Sequence, residues 1–121
     1  MNLGWFHDDT DESDFERTTV HEFGHAIGAV HEQFSPDLPI TWNRDAVHAA
    51  FSDWSKADVD RNSNYFEPVD PMNFVHTKWD PNSIMHYAIK KEWNMEGIEV
   101  MRSTTMSDLD KQFIAATYPK P

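Results

Sequence analysis

The stretch His21-Glu22-Phe23-Gly24-His25-Ala26-Ile27-Gly28-Ala29-Val30-His31 fits the pattern HExxHxxGxxH at every fixed position. Residues four apart on a helix stand on one face, so His21 and His25 can aim their imidazoles at a single ion. Gly28 can take a positive φ and let the chain leave the helix sharply, which brings His31 toward the same ion from below. Three neutral imidazoles leave a fourth position for water, the arrangement of a catalytic zinc rather than a structural one. Glu22, beside the first ligand, is placed to reach that water. Zinc lowers the pKa of bound water to about 7 and polarises a scissile carbonyl, while the carboxylate removes a proton and returns it to the leaving amine. HExxH alone is a weak signal, because short patterns arise by chance on amphipathic helices. The longer pattern, with its glycine and third histidine, is far more specific.

Outward from this segment, helix signals are plain. Ser13 stands three residues before Glu16, the capping-box spacing, and Phe15, Thr19, Phe23 and Ile27 recur at i+4; this predicts a helix over 14–27, ended by Gly28. Upstream, residues 1–6 read as a short strand and residues 7–12 as an acidic turn. Downstream, Pro36 and Pro39 mark a loop leading to Asn43, a good N-cap for a helix with Val47, Ala50, Phe51 and Trp54 on one side. A short helix follows over 55–62. Prolines and asparagines dominate 67–87, giving loop with at most short strands such as 74–77. Ile98 and Val100 alternate with Glu99 and Met101 after the Glu96-Gly97 turn and predict a hairpin arm. Ser107 and Asp110 cap a last helix through Leu109, Phe113, Ile114 and Thr117, stopped by Pro119.

Composition narrows the function classes. The 121 residues are one domain's worth, and the net charge is -11 with histidine neutral. Cations are scattered singly apart from Lys90-Lys91, so there is no basic stripe for nucleic acid and no attraction to an anionic membrane. No run of about 18 apolar residues could span a bilayer. The start lacks a positive n-region and a long apolar run, so it does not read as a signal peptide. There are no cysteines, which excludes disulfides and thiolate metal sites. The acidic cluster Asp8, Asp9, Asp11, Glu12 and Asp14 lacks calcium-loop spacing and reads as a solvated turn. His7, His48, His76 and His86 read as surface or packing histidines, and the five tryptophans as core and subsite walls.

The zinc motif together with Ser83-Ile84-Met85-His86-Tyr87 resembles the metzincin peptidases, specifically their astacin-like branch. Trp79-Asp80-Pro81-Asn82 ahead of that pattern, and the stretch from Leu109-Asp110-Lys111 to Tyr118-Pro119, resemble fungal and bacterial members. The likeness runs along nearly the whole chain. It implies an α+β metzincin zinc-peptidase-like fold: an active-site helix plus a lower helical subdomain with a Met-turn, the upper sheet largely missing because only twenty residues precede His21. The resemblance assigns Met85 to the Met-turn. It makes Tyr87 a further metal ligand that swings away to hydrogen-bond a developing oxyanion, and it matches Glu32 to the residue that meets a mature amino terminus.

The expected protein is thus a single, N-terminally truncated catalytic domain over 1–121. Its expected function is that of a zinc-dependent endopeptidase. Zn2+ is held by His21, His25, His31 and Tyr87, and Glu22 and Tyr87 are catalytic. Its partner is a protein or peptide substrate, not nucleic acid or membrane, and the full-length form is secreted by family resemblance. The missing cysteines fit microbial relatives. Two alternatives stand beside this reading: a catalytically inactive zinc-binding fragment or interaction module lacking the substrate-binding sheet, and a zinc hydrolase of a non-peptide substrate. Oligomeric state and cleavage specificity are open.

Overall fold

The computed structural model of the chain describes residues 3, 4, 6–62, 70, 72 and 74–120. Parts of the expected first strand (Met1, Asn2, Trp5) and of the expected 67–87 loop (67–69, 71 and 73) lie outside the described residues. Helix α1 spans Glu12–Ala26 and starts earlier than the capping-box spacing predicts. Asp11 is the N-cap, its carboxylate accepting from the Ser13 backbone N–H at 2.9 Å. Asp11 competes better than Ser13 because a carboxylate both accepts this bond and meets the positive end of the helix dipole. Before it, Phe6 N–H donates to the Leu3 carbonyl at 3.3 Å, so the described part of 1–6 is a turn rather than the expected strand.

The far end of α1 closes as a Schellman motif. Gly28 N–H donates to the His25 carbonyl and Ala29 N–H to the Gly24 carbonyl, with Gly28 at φ 92°. A non-glycine residue there would meet no neighbour within 4 Å, so the requirement for glycine is purely conformational. Gly24 is required for the opposite reason, space: a Cβ there would collide with the Met85 sulfur. The face of α1 turned inward carries Arg17, Thr18 and His21, whereas the i+4 stripe predicted from Phe15 and Phe23 is 49% and 58% exposed.

Helix α2 spans Arg44–Ala50 with Asn43 as N-cap, accepting from the Ala46 N–H, and helix α3 spans Lys56–Asn62. Val47, Val59 and Trp93 form the main apolar cluster, with Trp42, Ala46 and Phe51 packed on it. Trp54 and Ala50, expected on this side, are exposed, because α2 ends at Ala50 and the chain turns there. His48 on α2 meets the Asp60 carboxylate on α3 at 2.6 Å, a polar pair between the two helices.

Extended structure among the described residues is limited to two isolated antiparallel bridges, Trp42 with Asn94 and Ile89 with Val100. The hairpin arm expected over 98–100 shrinks to the second bridge because the Asn94 side chain does the pairing a strand would do. Its amide donates to the Ile98 carbonyl and its oxygen accepts from the Ile98 N–H, both at 2.8 Å. Residues 74–77 form no strand; Phe74 and Val75 are exposed. The chain is therefore mostly helical with little strand.

Helix α4, Asp108–Thr117, is capped as the sequence predicts: Ser107 and Asp110 form a reciprocal capping box. The capping carboxylate has a second task. Asp110 accepts from Ser83 Oγ at 2.7 Å and from the Ile84 N–H at 2.8 Å, while Ser107 Oγ donates to Asp80 at 2.5 Å. One helix N-terminus thereby fastens the 80–86 turn. At the other end of α4, Tyr118 Oη donates to the Ile27 carbonyl at 2.5 Å, tying α4 to the close of α1. Glu32, in the 3₁₀ turn Glu32–Phe34, joins the same polar junction: its carboxylate accepts from the Asp80 N–H at 2.9 Å and its own N–H donates to the Met85 carbonyl at 3.1 Å. Burial pushes its carboxyl up from 4.5 to about 7, with the charges of Asp80, Asp110 and Asp37 adding to the rise against the opposing Asp80 N–H.

Asp110→Ala is expected to destabilise the fold by about 3 kcal/mol, since it strips a charged acceptor from several donors, lowering the thermal midpoint by roughly 10 °C. Lys111→Ala, which removes only an exposed contact with Asp108, is expected to change it by less than about 3 °C. Thermal unfolding by circular dichroism measures both. The raised Glu32 carboxyl has a further consequence. The folded state holds its proton above the pH at which the unfolded chain releases it, so stability declines as pH rises from about 4.5 to 7, by roughly 3 kcal/mol at most. Glu32→Gln is expected to flatten that decline in denaturant titrations across the same range.

Candidate metal centre

Two helix-end devices aim the histidines. On α1, His21 and His25 share a face by i,i+4 spacing, and the Schellman turn at Gly28 redirects the chain so that His31 returns to them. His21 Nε2 lies 3.2 Å from His31 Nε2, and His25 Nε2 lies 3.0 Å from it. Among the described residues this is the group of three side chains whose ligand atoms all fall within 4.8 Å of one another. His7, His48, His76 and His86 stay outside it.

The outer nitrogens explain the orientation. His21 Nδ1–H donates to the Ile84 carbonyl and His25 Nδ1–H to the Ala29 carbonyl, each at 2.9 Å. A proton fixed on Nδ1 leaves the Nε2 lone pair bare and pointing inward. Lone pairs about 3 Å apart repel unless a cation lies among them. A tetrahedral zinc with Zn–N near about 2.0 Å separates its ligand nitrogens by about 3.3 Å, close to the separations here. Two of the imidazoles also favour the neutral form: burial, then His25 and His21, pushes His31 down to about 3, and burial lowers His21 as well. Donor type, spacing, tautomer and protonation therefore all fit zinc.

Tyr87, directly after the 80–86 turn, joins the group. Its ring lies 4.3 Å from the His31 ring and stacks on that of His21 at 5.6 Å, centroid to centroid. The residue as a whole remains 38% exposed. Burial raises the pKa of its phenol, with the Glu22 charge adding to the rise and Arg17 opposing it. The influence of Glu22 on both Tyr87 and His21 puts its half-buried carboxylate in the same electrostatic neighbourhood. Met85 is buried against Gly24, between the two α1 histidines in sequence, and so supports the helix face that bears them.

Several supporting residues carry no local signal in the sequence. Gly24 occupies a variable place in the zinc pattern, yet its missing Cβ is what admits Met85. Asp110 reads only as a helix cap, and its hold on Ser83 and Ile84 crosses 26 or more residues. Gln33, which accepts from the Tyr87 N–H at 3.3 Å, lies in no motif. Of the expected site residues, the three histidines come within ligand distance of one another, the Tyr87 ring lies against those of His21 and His31, and Met85 lies against Gly24.

Beside the site runs an apolar groove of about 250 Å³ between α1, α4 and residues 74–77, with Phe23, Ile27, Phe113 and Ile114 among its walls and Glu32 at its polar end. No helix among the described residues is long and apolar enough to cross a membrane.

Comparison with known proteins agrees with this geometry. The structure of myroilysin is 40% identical to the chain and superposes with a TM-score of 0.92, over 100% of this chain and 60% of that one. A crystal structure of myroilysin, also 40% identical, aligns with a TM-score of 0.61 over 99% of this chain and 53% of that one. The chain thus spans 60% or less of the length of these solved relatives. A comparison with curated proteins finds no match. The family model described as Astacin, a peptidase family, matches residues 10–117. This family uses zinc, and its members are commonly secreted. The chain belongs to the astacin family of metallopeptidases.

Proposed function

We propose that this chain is the zinc-bearing part of a secreted, astacin-type endopeptidase that hydrolyses protein or peptide substrates. The observation that carries the reading is the convergence of three Nε2 atoms, two of whose rings already commit their other nitrogen to a backbone carbonyl. His21, His25 and His31 hold the metal, with Tyr87, directly after the 80–86 turn, as an additional ligand. The methionine in that turn, Met85, is the apolar base of the site, the Met-turn of the family. Residues 1–121 belong to one catalytic unit.

Zinc, when bound, supplies a Lewis acid that polarises the scissile carbonyl and lowers the pKa of water to about 7. The chain's own groups do the rest. Glu22 accepts a proton from the attacking water and delivers it to the departing amine, so the nitrogen leaves neutral. The Tyr87 phenol, once it has swung away from the metal, donates to the carbonyl oxygen as negative charge gathers there. Such a donor acts mainly in the transition state and raises the rate more than it tightens substrate binding.

Glu22→Ala is expected to retain one equivalent of zinc while hydrolysis of casein falls by about a hundredfold or more; equal cleavage by wild type and variant would contradict the assignment. Tyr87→Phe is expected to lower kcat by about a hundredfold with KM little altered, measured on a fluorogenic peptide. A rise in KM at constant kcat would instead make Tyr87 a substrate-binding residue.

A further inference from the structure

The His86 imidazole is wholly buried, at 0% exposure, between the two residues of greatest interest in its turn, Met85 and Tyr87. Both of its nitrogens are engaged. Trp79 Nε1 lies 3.1 Å from His86 Nε2, and His86 Nδ1 lies 2.7 Å from the Tyr87 carbonyl oxygen. The indole packs edge-on to the imidazole, with ring centroids 6.1 Å apart.

An indole N–H only donates, so His86 Nε2 must accept, and a neutral imidazole that accepts at Nε2 carries its proton at Nδ1. That proton is then available to the Tyr87 carbonyl. The Tyr87 N–H, for its part, is held by Gln33, itself 2% exposed. Both backbone polar groups of Tyr87 are therefore gripped by buried side chains. The ring, stacked on that of His21 and tilted against that of His31, is thereby held beside the histidine cluster.

From this chain of contacts we propose that Trp79 and His86 are positioning residues for Tyr87: the indole fixes the His86 tautomer, and the fixed tautomer anchors the Tyr87 backbone so that the phenol reaches the metal and the reacting carbonyl. The inference rests on the catalytic reading of Tyr87 given above, but the hydrogen-bond relay can be tested apart from it. Trp79→Phe keeps an aromatic ring in the packing and removes only the donor. Without that donor the His86 proton is free to occupy Nε2, and the bond to Tyr87 is lost in that tautomer. The loose phenol would then reach its partners less often, an effect of the size that outer-shell substitutions produce, about tenfold.

The test uses the 121-residue chain. Two-bond proton–nitrogen correlation spectra of the zinc-loaded, nitrogen-15-labelled protein are expected to show His86 as the Nδ1–H tautomer in the wild type. Trp79→Phe is expected to show mixed tautomers and a displaced Tyr87 amide signal, with a thermal midpoint within about 3 °C of wild type. An Nε2–H tautomer in the wild type overturns the proposal, and this spectrum decides alone if the variant does not fold. Identical His86 and Tyr87 signals in the two proteins overturn it equally. In the copper(II)-substituted protein, tyrosinate-to-copper absorption is expected in the wild type and weakened in Trp79→Phe; undiminished absorption contradicts the proposal. If the wild type shows no such absorption, the metal-ligand role of Tyr87 fails and the relay is judged by the nitrogen spectra. On a peptide substrate, kcat of Trp79→Phe is expected to fall about tenfold at constant KM, and to match wild type if the relay does not position Tyr87.

Discussion

Two backbone carbonyls hold the centre together. Ile84 O and Ala29 O each accept from the Nδ1–H of a helix histidine, and by doing so they decide which nitrogen of His21 and of His25 carries a lone pair and where it points. Neither carbonyl belongs to a fixed position of the motif. One is supplied by the turn that follows Asp80 and the other by the Schellman close of α1, so the metal centre exists only when both are built. That dependence accounts for the concentration of polar contacts around residues 80–86.

The junction of Glu32, Asp80, Ser83, Ser107 and Asp110 is a costly way to fasten a turn. Burying carboxylates near one another opposes folding, as the raised Glu32 carboxyl shows, and the cost is offset only because donors meet their oxygens: the Asp80 and Ile84 N–H groups and the Ser83 and Ser107 hydroxyls. Apolar packing alone would hold the turn without fixing its register. Directional bonds set the Ile84 carbonyl toward His21 and the Met85 side chain toward Gly24, a placement a metal site needs to a fraction of an ångström.

Much of the site was legible in the sequence because its logic is local. The i,i+4 histidines, the positive-φ glycine and the Ser107–Asp110 capping box each follow from a few neighbouring residues. The readings of Met85 and Tyr87 come from family resemblance, since nothing local distinguishes them. The failures have physical causes. Ser13 lost the cap to Asp11 because a carboxylate outcompetes a hydroxyl at the positive end of a helix. The 98–100 arm did not extend because one asparagine side chain took both bonds a partner strand would have made. The Phe15 and Phe23 stripe gave the right helix and the wrong buried face, as helical periodicity reports that apolar residues align without saying what covers them. Long-range partners such as Gln33, Asp110 and Trp79 have no sequence signature for these roles, because their meaning appears only once the turn is folded.

X-ray absorption at the zinc edge tests the central claim most directly. Chain loaded with one equivalent of zinc is predicted to show three imidazole nitrogens at about 2.0–2.1 Å, with the remaining scattering from oxygen. A shell with fewer than three imidazoles, or a chain that retains no zinc after dialysis, would contradict it.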